Sequence, residues 1–552
     1  MIVYRSDGCR VETGALVEAV ARFDDARGVE AARARLVELG VLEAAVEDAR
    51  HPERDAVDAT TSALREAMHA AGRALVAAID GHREGEAAAA GRCRTLRAAL
   101  DPAMLPASVE ERAPEGYVHY GVFPERYVAA ARRIARTLRP ARAVCVGLRS
   151  IGTSLSAAAA AALAASGVAV RSFTVRPRGA AFARELRLDS ALARALVEER
   201  DALFLICDEG PGLSGSSFAA ACRALTDGGA APERVLLLPS WDADGSTFVS
   251  DDARRSWARH RRFVVDFDPR ILDAGGLVDL SAGAWRTRVF SDERDWPATQ
   301  PRHERRKYLA GRRLYKFAGF GRFGEARVQM ARDLASAGFG PPVVGFAHGF
   351  VEQPWLSGRP LDRARPSRSV ARVAAYLEHR RRFVVAPRID ATALVEMTRV
   401  NATTLFGAGA PARMDGWARA ASAAHERART PAVHLDARLQ PVEWLDAALA
   451  LKLDAVDHGV GHFHPGPHDR AWDVAGACVE LFDEPAAAKL VAILSRTDET
   501  LPARMPLYEA AYLAWHCGYA QLAAASTPAA DAERWARAHT GYRARLERRL
   551  FG

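Results

Sequence analysis

Apolar residues recur at different intervals in different parts of the chain, and the interval indicates which secondary structure each part forms. Between residues 14 and 100 they recur every three or four positions, which is the period of an amphipathic helix. Three prolines between residues 101 and 116 end this pattern. We therefore predict a helical N-terminal domain over residues 1–115.

Short apolar strands alternate with helix-like runs in the next part of the chain. The apolar segments 143–146, 168–175 and 203–207 are each followed by a run with helical spacing. This alternation predicts a mostly parallel sheet with helices on both faces, and such sheets bind ligands at the carboxyl ends of their strands. We predict an α/β domain with a trailing linker over residues 116–295.

The remainder of the chain combines few strands with many helices. It is strand-like around residues 313–317 and largely helical after residue 367. We predict an α+β domain over residues 296–552, which makes the chain an α/β multidomain protein of three parts.

The composition is that of a globular protein, since the 552 residues are 49% apolar and 26% charged. Disorder, collagen and a small disulfide scaffold are excluded. The net charge of +8 is spread along the chain and does not indicate a dedicated nucleic-acid binder. Seven scattered cysteines without a C-x-x-C pair argue against disulfides and structural zinc, and favour a reducing cytoplasm. The sequence shows no export signal and no apolar segment long enough to span a membrane.

Lysine and asparagine are rare, so each one carries information. Arginine replaces lysine on most solvated surfaces, but not where a compact ammonium is needed. Asn401 is the only asparagine, and the four lysines are Lys307, Lys316, Lys452 and Lys489.

A hydroxyl-rich glycine loop follows one of the buried strands and opens a helix. The strand 203–207 leads into Asp208 and Glu209, and the loop ends in a Ser-Gly-Ser-Ser segment. Glycines there let backbone amides point inward, serine hydroxyls add donors, and the helix dipole favours a phosphate. The two carboxylates are placed to accept hydrogen bonds from the cis-hydroxyls of a ribose. Taken alone, the loop is also compatible with a plain turn between strand and helix.

In these residues the chain resembles the type I phosphoribosyltransferases, whose signature is an apolar strand, two acidic residues and a hydroxyl-glycine phosphate loop. The turn after the acidic pair is about one residue longer than in that signature. A second strand-turn-helix segment, residues 144–154, resembles the pyrophosphate loop of the family, and Arg176 lies where the family has a mobile loop. The resemblance implies that the protein binds phosphoribosyl pyrophosphate (PRPP) with Mg²⁺ and uses Asp208 and Glu209 in catalysis. The residues that it implies for PRPP binding are Arg149, Ser150, Gly152, Arg176, Asp208, Glu209, Ser214, Gly215, Ser216 and Ser217.

The C-terminal part contains a lysine, several acids and a His-x-Asp motif in a defined order. Lys316 lies in a predicted strand, and Glu325 lies in the first turn of the helix that follows. Asp436 ends a Val-His-Leu-Asp segment, and Asp454 and Asp457 follow a further short strand. A lysine on a strand edge and a chance His-x-Asp are common, so the order of the elements is what indicates the fold.

This order resembles that of the aminoglycoside and choline kinases. The resemblance implies that Lys316 and Glu325 pair to hold the phosphates of ATP. It also implies that Asp436 is catalytic, orienting or deprotonating a substrate hydroxyl. Asp454 and Asp457 are the alternatives for the residue that binds Mg²⁺.

One position departs from the kinase pattern. These kinases place an asparagine five residues after the catalytic aspartate, and this chain has Pro441 there, preceded by Gln440. Either metal binding is built differently, or this part of the chain does not transfer phosphoryl groups. Four histidines within residues 458–468 could also bind a transition metal, although a solvated loop is the simpler interpretation.

Together these motifs predict a bifunctional enzyme of nucleotide or nucleoside-like metabolite chemistry. One part is expected to transfer a phosphoribosyl group from PRPP, or to run the reverse reaction, and the other to act as an ATP-dependent small-molecule kinase. The alternative is a non-catalytic sensor that binds PRPP or nucleotides through a kinase-like part without activity, which Pro441 favours. Both hypotheses require small-molecule ligands, and neither specifies the acceptor, the kinase substrate or the oligomeric state.

Overall fold

The chain forms two compact units. The computed structural model describes residues 1–2, 8–180, 182–212, 214–246, 248, 250–362, 369–386, 388–461 and 463–552. The α/β unit comprises Gly8–Asp273 with Gly319–Arg322, and the C-terminal unit comprises the first two residues, Ala274–Ala318 and Phe323–Gly552. The predicted α/β multidomain class is confirmed at this level. The unit boundaries differ from the predicted ones, because residue 115 lies inside the α/β unit and residue 295 inside the C-terminal unit.

The α/β unit alternates helices and strands after an initial helical stretch. Its helices are α1 (Thr13–Ala21), α2 (Val29–Arg50), α3 (Ala59–Ile79), α4 (Arg83–Ala98), α5 (Pro124–Leu138), α6 (Gly152–Ala165), α7 (Ser190–Leu196), α8 (Ser216–Asp227) and α9 (Asp251–Arg259). Its strands are β1 (Cys9–Glu12), β2 (Ser108–Glu111), β3 (Arg142–Leu148), β4 (Ala169–Val175), β5 (Pro177–Arg178), β6 (Glu185–Leu186), β7 (Leu203–Cys207), β8 (Val235–Leu238) and β9 (Arg261–Arg262).

A parallel sheet of order β4-β3-β7-β8-β9 forms the centre of this unit, as the alternating pattern predicts. Strand β7 is apolar and buried on both faces, which is typical of a strand between two helix layers. Helices α3 and α6 approach closely because Gly72 has no side chain; a Cβ there would lie 2.7 Å from the carbonyl oxygen of Ala157. Through this contact the N-terminal helices and the sheet share one unit.

The C-terminal unit begins with strands and ends with helices. Its helices are α10 (Arg286–Val289), α11 (Gly321–Ser336, of which Phe323 onward lies here), α12 (Val370–Arg380), α13 (Thr392–Phe406), α14 (Ala410–Ala428), α15 (Ala471–Glu480), α16 (Glu484–Leu494), α17 (Leu501–Ala524) and α18 (Ala529–Phe551). Its strands are β10 (Val278–Asp279), β11 (Lys307–Ala310), β12 (Arg313–Phe317), β13 (Gly345–Ala347), β14 (Phe350–Pro354), β15 (Val384–Ala386), β16 (Ala432–Val433), β17 (Trp444–Leu445) and β18 (Leu451–Lys452).

Five of these strands form an antiparallel sheet of order β10-β11-β12-β14-β13, and two further two-stranded antiparallel sheets pair β15 with β16 and β17 with β18. The helices share a large apolar core in which Trp444, Trp472 and Tyr512 are fully buried. Sheet and helices together give the predicted α+β character. Among the described helices, none is both long enough and apolar enough to cross a membrane.

The single asparagine of the chain joins its first residues to the C-terminal unit. Asn401, in α13, is fully buried; its Oδ1 accepts a hydrogen bond from the backbone nitrogen of Ile2 at 2.6 Å. Its Nδ2 donates to the carbonyl oxygens of Ile2 at 2.9 Å and of Ala514, in α17, at 3.0 Å. The buried amide is thereby satisfied by backbone groups on both sides.

Candidate functional site

A cluster of charged side chains surrounds Lys316 in the C-terminal unit. Lys316 lies in β12 with its side chain 9% exposed, and its ammonium contacts the carboxylate of Asp454 and, at 2.9 Å, that of Asp457. Both aspartates follow β18 in the chain. The structure thus brings together a lysine predicted to bind ATP and two carboxylates predicted to bind a metal.

These ion pairs keep the buried groups charged. Burial alone would raise the pKa of Asp454, but Lys316 and His458 outweigh it and hold this pKa well below its usual range. Burial would also lower the pKa of Lys316, but Asp454 and Asp457 outweigh it and raise this pKa above its ordinary value. Lys316 and Asp454 are therefore both ionised at neutral pH, and each charge stabilises the other.

A cleft with an empty volume of about 460 Å³ opens beside Lys316. One wall is apolar and the other is charged. The apolar wall includes Ala318, Ala331, Leu334 and Val351, and the polar lining comprises Lys316, Gln353, Lys452, Asp454 and Asp457. Its mixed lining suits a ligand with an apolar part and an anionic part.

Three side chains meet at Asp454 with the spacing of metal ligands. Ligand atoms of Glu443, Asp454 and His458 all lie within 4.8 Å of one another. The Nε2 atom of His458 is 3.4 Å from Asp454 Oδ2 and 3.7 Å from Glu443 Oε2. Two ligands bound to one divalent ion at about 2.1 Å and at right angles would lie roughly 3 Å apart. Burial would lower the pKa of His458, but Asp454, Asp457 and Glu443 outweigh it and raise this pKa to about 9, so the imidazole must release a proton when these three residues bind a divalent cation.

Glu443 is the member of this group that sequence reasoning missed. It lies two residues after Pro441, the position where the kinase pattern has asparagine. The sequence signal for it is an acidic residue two positions after the place of the expected asparagine ligand. Gln440, the other substitute considered, instead accepts a hydrogen bond from Arg438 Nε at 3.3 Å.

The structure also separates the two aspartates between which the sequence could not choose. Asp454 belongs to the three-residue group, whereas Asp457 is 2% exposed and lies against Lys316 and, at 3.5 Å, Arg305. Of the described histidines within residues 458–468, only His458 reaches this group. His464 stacks on Trp515 and His468 contacts Tyr508, and His462 lies outside the described residues.

Asp436, predicted to be catalytic, is fully buried and both of its carboxylate oxygens are in contact with donors. Its Oδ1 lies 3.1 Å from the ammonium of Lys452, and its Oδ2 accepts a hydrogen bond from the hydroxyl of Tyr376. Asp473, in the first turn of α15, holds the loop by accepting the backbone hydrogen bonds of Asp436 at 2.8 Å and Ala437 at 2.9 Å. Asp473 thus fixes the backbone of the motif, and Lys452 and Tyr376 cover the carboxylate of Asp436.

The structure pairs Lys316 with residues other than Glu325, its predicted partner. Helix α11 turns Gly324, Arg327 and Val328 inward, and Glu325 falls on the exposed face between them. The helix begins at Gly321, earlier than the sequence predicts, so Glu325 lies in its second turn, and successive helical residues are about 100° apart. The ion pairs of Lys316 are made with Asp454 and Asp457 instead.

The second predicted site lies at the carboxyl end of β7 in the α/β unit. Asp208 and Glu209 follow that strand, and Ser214, Gly215, Ser216 and Ser217 lead into α8. Gly215 has a φ of +65°, which favours glycine, and a Cβ there would lie 2.6 Å from the ring of Phe248. The strand, loop and helix are arranged as the sequence predicts.

The two carboxyl groups at this loop are held in an environment that disfavours their charge. Burial raises the pKa of Asp208 to about 7. Burial, with Glu115 and Asp208 nearby, raises the pKa of Glu209 well above its usual range. Among the described residues, neither Asp208 nor Glu209 has a salt-bridge partner. A ligand with hydroxyl donors or a cation would therefore relieve an existing electrostatic cost.

The arginines predicted to bind pyrophosphate are already paired. Arg149 is buried and forms ion pairs with Glu47, Asp48 and Asp55. Arg176 forms an ion pair with Asp48 and donates a hydrogen bond to the carbonyl oxygen of Arg149. Carboxylates from α2 and from the segment after it reach these arginines and neutralise their charge. Their distance in sequence, about a hundred residues, hid this contact.

Ser150 and Gly152 lie at the turn between β3 and α6, as predicted. A Cβ on Gly152 would lie 2.4 Å from the carbonyl oxygen of Cys207, and one on Gly147 would lie 2.2 Å from that of Gly152. Close packing of the helix on the sheet therefore accounts for glycine at these positions without a ligand.

The comparisons with known proteins found similarity only among solved structures. No protein-family model and no curated protein matches the chain. A choline/ethanolamine kinase family protein from Mesorhizobium loti is 17% identical with a TM-score of 0.31, covering 44% of this chain and 90% of its own. The choline kinase LicA from Streptococcus pneumoniae is 14% identical with a TM-score of 0.27, covering 44% and 89%.

An aminoglycoside 2'-phosphotransferase-IIIa, solved with GDP, is 11% identical with a TM-score of 0.31, covering 44% of this chain and 89% of its own. Identities and TM-scores of this size assign neither an activity nor a substrate to this chain. None of these comparisons supports the predicted phosphoribosyltransferase domain.

Proposed function

We propose that the C-terminal unit binds ATP with a divalent cation and transfers the terminal phosphoryl group to a hydroxyl of a small molecule. The observation that carries this proposal is the convergence of Lys316 and Asp454 at the charged wall of the cleft. A strand lysine and a metal-binding aspartate are the two charges that position the phosphates in kinase-like phosphotransferases.

Each charged residue has a role that its position supports. Lys316 exchanges its internal ion pairs for oxygens of the phosphates, and the apolar wall of the cleft covers the base. Glu443, Asp454 and His458 hold the divalent cation, which supplies positive charge for the transferring phosphoryl group. The pKa values of Asp454 and Glu443 are held below their usual range, so neither carboxylate has to lose a proton when the cation binds.

Asp436 is the group proposed to orient the acceptor hydroxyl or to accept its proton. Lys452 must first leave Asp436 Oδ1, since the carboxylate has no exposed surface. Proton transfer then follows the ordinary requirement that base and hydroxyl come within hydrogen-bond distance.

The burial of Asp436 also favours a second candidate, a nucleotide sensor without turnover. In that function Lys316, Asp454 and Glu443 bind the nucleotide and its cation, and the ion pair of Lys452 with Asp436 stays closed. The two candidates share the nucleotide site and differ only in whether phosphoryl transfer follows.

The test uses the full chain and two lysine variants. Titration calorimetry with ATP and Mg²⁺ is expected to show binding that Lys316→Met weakens at least about tenfold, because the variant leaves the phosphates without their lysine. Lys489→Met is the matched control, since Lys489 is exposed in α16. Equal affinity of both variants, or no binding by the wild type, contradicts the proposal. Binding without ADP release across a panel of amino alcohols, aminoglycosides and nucleosides supports the sensor.

We also propose, on separate grounds, that the α/β unit binds a phosphorylated ribose at the Asp208 loop and transfers the phosphoribosyl group of PRPP. Two carboxylates that have no ion-pair partner in the part of the chain that the structure describes, and a serine-glycine loop opening α8, support it. The pairing of Arg149 and Arg176 leaves the pyrophosphate end without free arginines at these two positions. Calorimetry with PRPP and Mg²⁺ tests it: binding is expected and Asp208→Asn with Glu209→Gln should abolish it, whereas equal binding by wild type and variant contradicts it.

A further inference from the structure

A buried lysine lies at the centre of the charged cluster. The side chain of Lys452, in β18, is fully buried. Its ammonium lies 3.1 Å from Asp436 Oδ1 and 3.8 Å from Glu443 Oε2, and it donates a hydrogen bond to the carbonyl oxygen of Asp454. Three acceptors therefore face the three hydrogens of one ammonium group.

This ammonium lies near the position at which the chain lacks a metal ligand that the kinase pattern has. Kinases hold two Mg²⁺ ions, one on an aspartate after a short strand and one on an asparagine that follows the catalytic aspartate. Here Pro441 takes the place of that asparagine, and proline has no side-chain ligand. The space between the catalytic-motif carboxylate and the carboxylate of Glu443 contains Lys452 instead.

The two carboxylates beside Lys452 also require a positive charge close to them. Asp436 and Glu443 are buried carboxylates that would repel each other without a cation between them. Arg438, with its Nε 3.2 Å from Glu443 Oε1, contacts the other oxygen of that carboxylate. One positive charge at Lys452 thus links the motif of Asp436 to the group that includes Asp454 and His458.

We infer that the ammonium of Lys452 is a built-in cation that replaces the second divalent ion, so that the site takes up one divalent cation for each bound nucleotide. The inference rests on the proposed nucleotide site. The ammonium carries less charge than a metal ion, and because it is covalently attached to the chain it is retained when chelators remove divalent ions.

The experiment counts ions rather than turnover. Electron paramagnetic resonance measures free Mn²⁺ during titration of the full chain with Mn²⁺ and the β,γ-imido analogue of ATP. The wild type and Lys452→Arg are expected to bind one nucleotide-dependent Mn²⁺ per chain. Lys452→Met is expected to bind two, because an uncompensated space opens between Asp436 and Glu443. The double variant Lys452→Met with Asp436→Asn is expected to return to one, since it removes the charges together.

Each result has a defined meaning. Two nucleotide-dependent ions in the wild type, or one ion in a folded Lys452→Met, overturn the inference while leaving the nucleotide site intact. No nucleotide-dependent Mn²⁺ in the wild type overturns the proposed function, and the inference with it. The wild-type count decides the matter even where Lys452→Met does not fold.

Discussion

Replacement of Asp473 by alanine is expected to release the loop that contains Asp436. The carboxylate of Asp473 accepts hydrogen bonds from the backbone nitrogens of Asp436 and Ala437 at 2.8 and 2.9 Å. Ala437 has a φ of +64°, a left-handed conformation that its side chain disfavours by about 1 kcal/mol. Both residues are buried, so water does not replace the lost acceptor.

The expected magnitude follows from the two orphaned donors. Each buried N–H without an acceptor costs about 1–3 kcal/mol, which gives about 4 kcal/mol for the pair. A change of 1.4 kcal/mol is tenfold in an equilibrium constant, so the loop should open roughly a thousand times more often. Hydrogen–deuterium exchange with mass spectrometry measures this directly on peptides covering residues 432–440. A pH of 8 keeps Asp473 ionised, since burial and nearby Asp436 raise its pKa to about 6 against the opposing effect of Arg380.

Asp483→Ala is the matched control for this experiment. Asp483 caps α16 by accepting one hydrogen bond, from the backbone nitrogen of Ala486 at 3.0 Å, so its loss should cost about 1 kcal/mol and leave residues 432–440 protected. Should Asp473→Ala exchange in these peptides within about threefold of the wild type, the argument from buried donors is refuted. Asp473→Asn, which keeps one acceptor, gives an intermediate rate if alanine prevents folding.

Three further predictions concern the α/β unit. Because the pKa of Asp208 is raised to about 7, the folded protein keeps a proton that the unfolded chain loses, and this stability disappears as the pH rises from about 4 to 7. The melting temperature of Asp208→Asn relative to the wild type should therefore be higher at pH 8 than at pH 5, and equal differences would contradict this. Gly147→Ala, whose Cβ would lie 2.2 Å from a carbonyl oxygen, should lose about 3 kcal/mol in urea unfolding. Gly91→Ala, with nothing within 4 Å, should gain about 1 kcal/mol, and the opposite order would exclude the packing argument. Arg149→Met leaves three carboxylates without their arginine, so the free energy of unfolding should fall by about 3–5 kcal/mol at pH 7.5 and by less at pH 4.5. Thermal unfolding at both pH values measures this, and no loss at pH 7.5 would show that the cluster is not essential for stability.

Local spacing was enough for features that neighbouring residues decide. The apolar run of β7 and the glycine-serine loop after it determine a strand, a turn and a helix between Leu203 and Asp227. Lys316, Asp454 and Asp457 are likewise close together in the structure. Lys316 lies on the short strand β12, and the two aspartates follow the short strand β18. Such patterns depend on backbone geometry that repeats along the chain.

Contacts between distant segments could not be read in this way. Glu47 and Asp55 reach Arg149 across about a hundred residues, and no periodicity connects them. Glu443 enters the metal-like group from a position that the motif leaves open. The position of Glu325 depends on local spacing instead. The apolar spacing of α11 places Glu325 outside the buried face of the helix.

The hydrogen bonds between Ile2 and Asn401 constrain the order in which the protein can fold during synthesis. Ribosomes add about 5–20 residues per second, so roughly 20–80 s pass between the emergence of these two partners. The α/β unit is fully synthesised in that interval, whereas the C-terminal unit must wait for its last helices and then take up the beginning of the chain. Until then the backbone of Ile2 remains solvated and Asn401 lacks its acceptor and donor there. All residues of the α/β unit are thus synthesised before Asn401, the residue to which Ile2 is bonded in the folded protein.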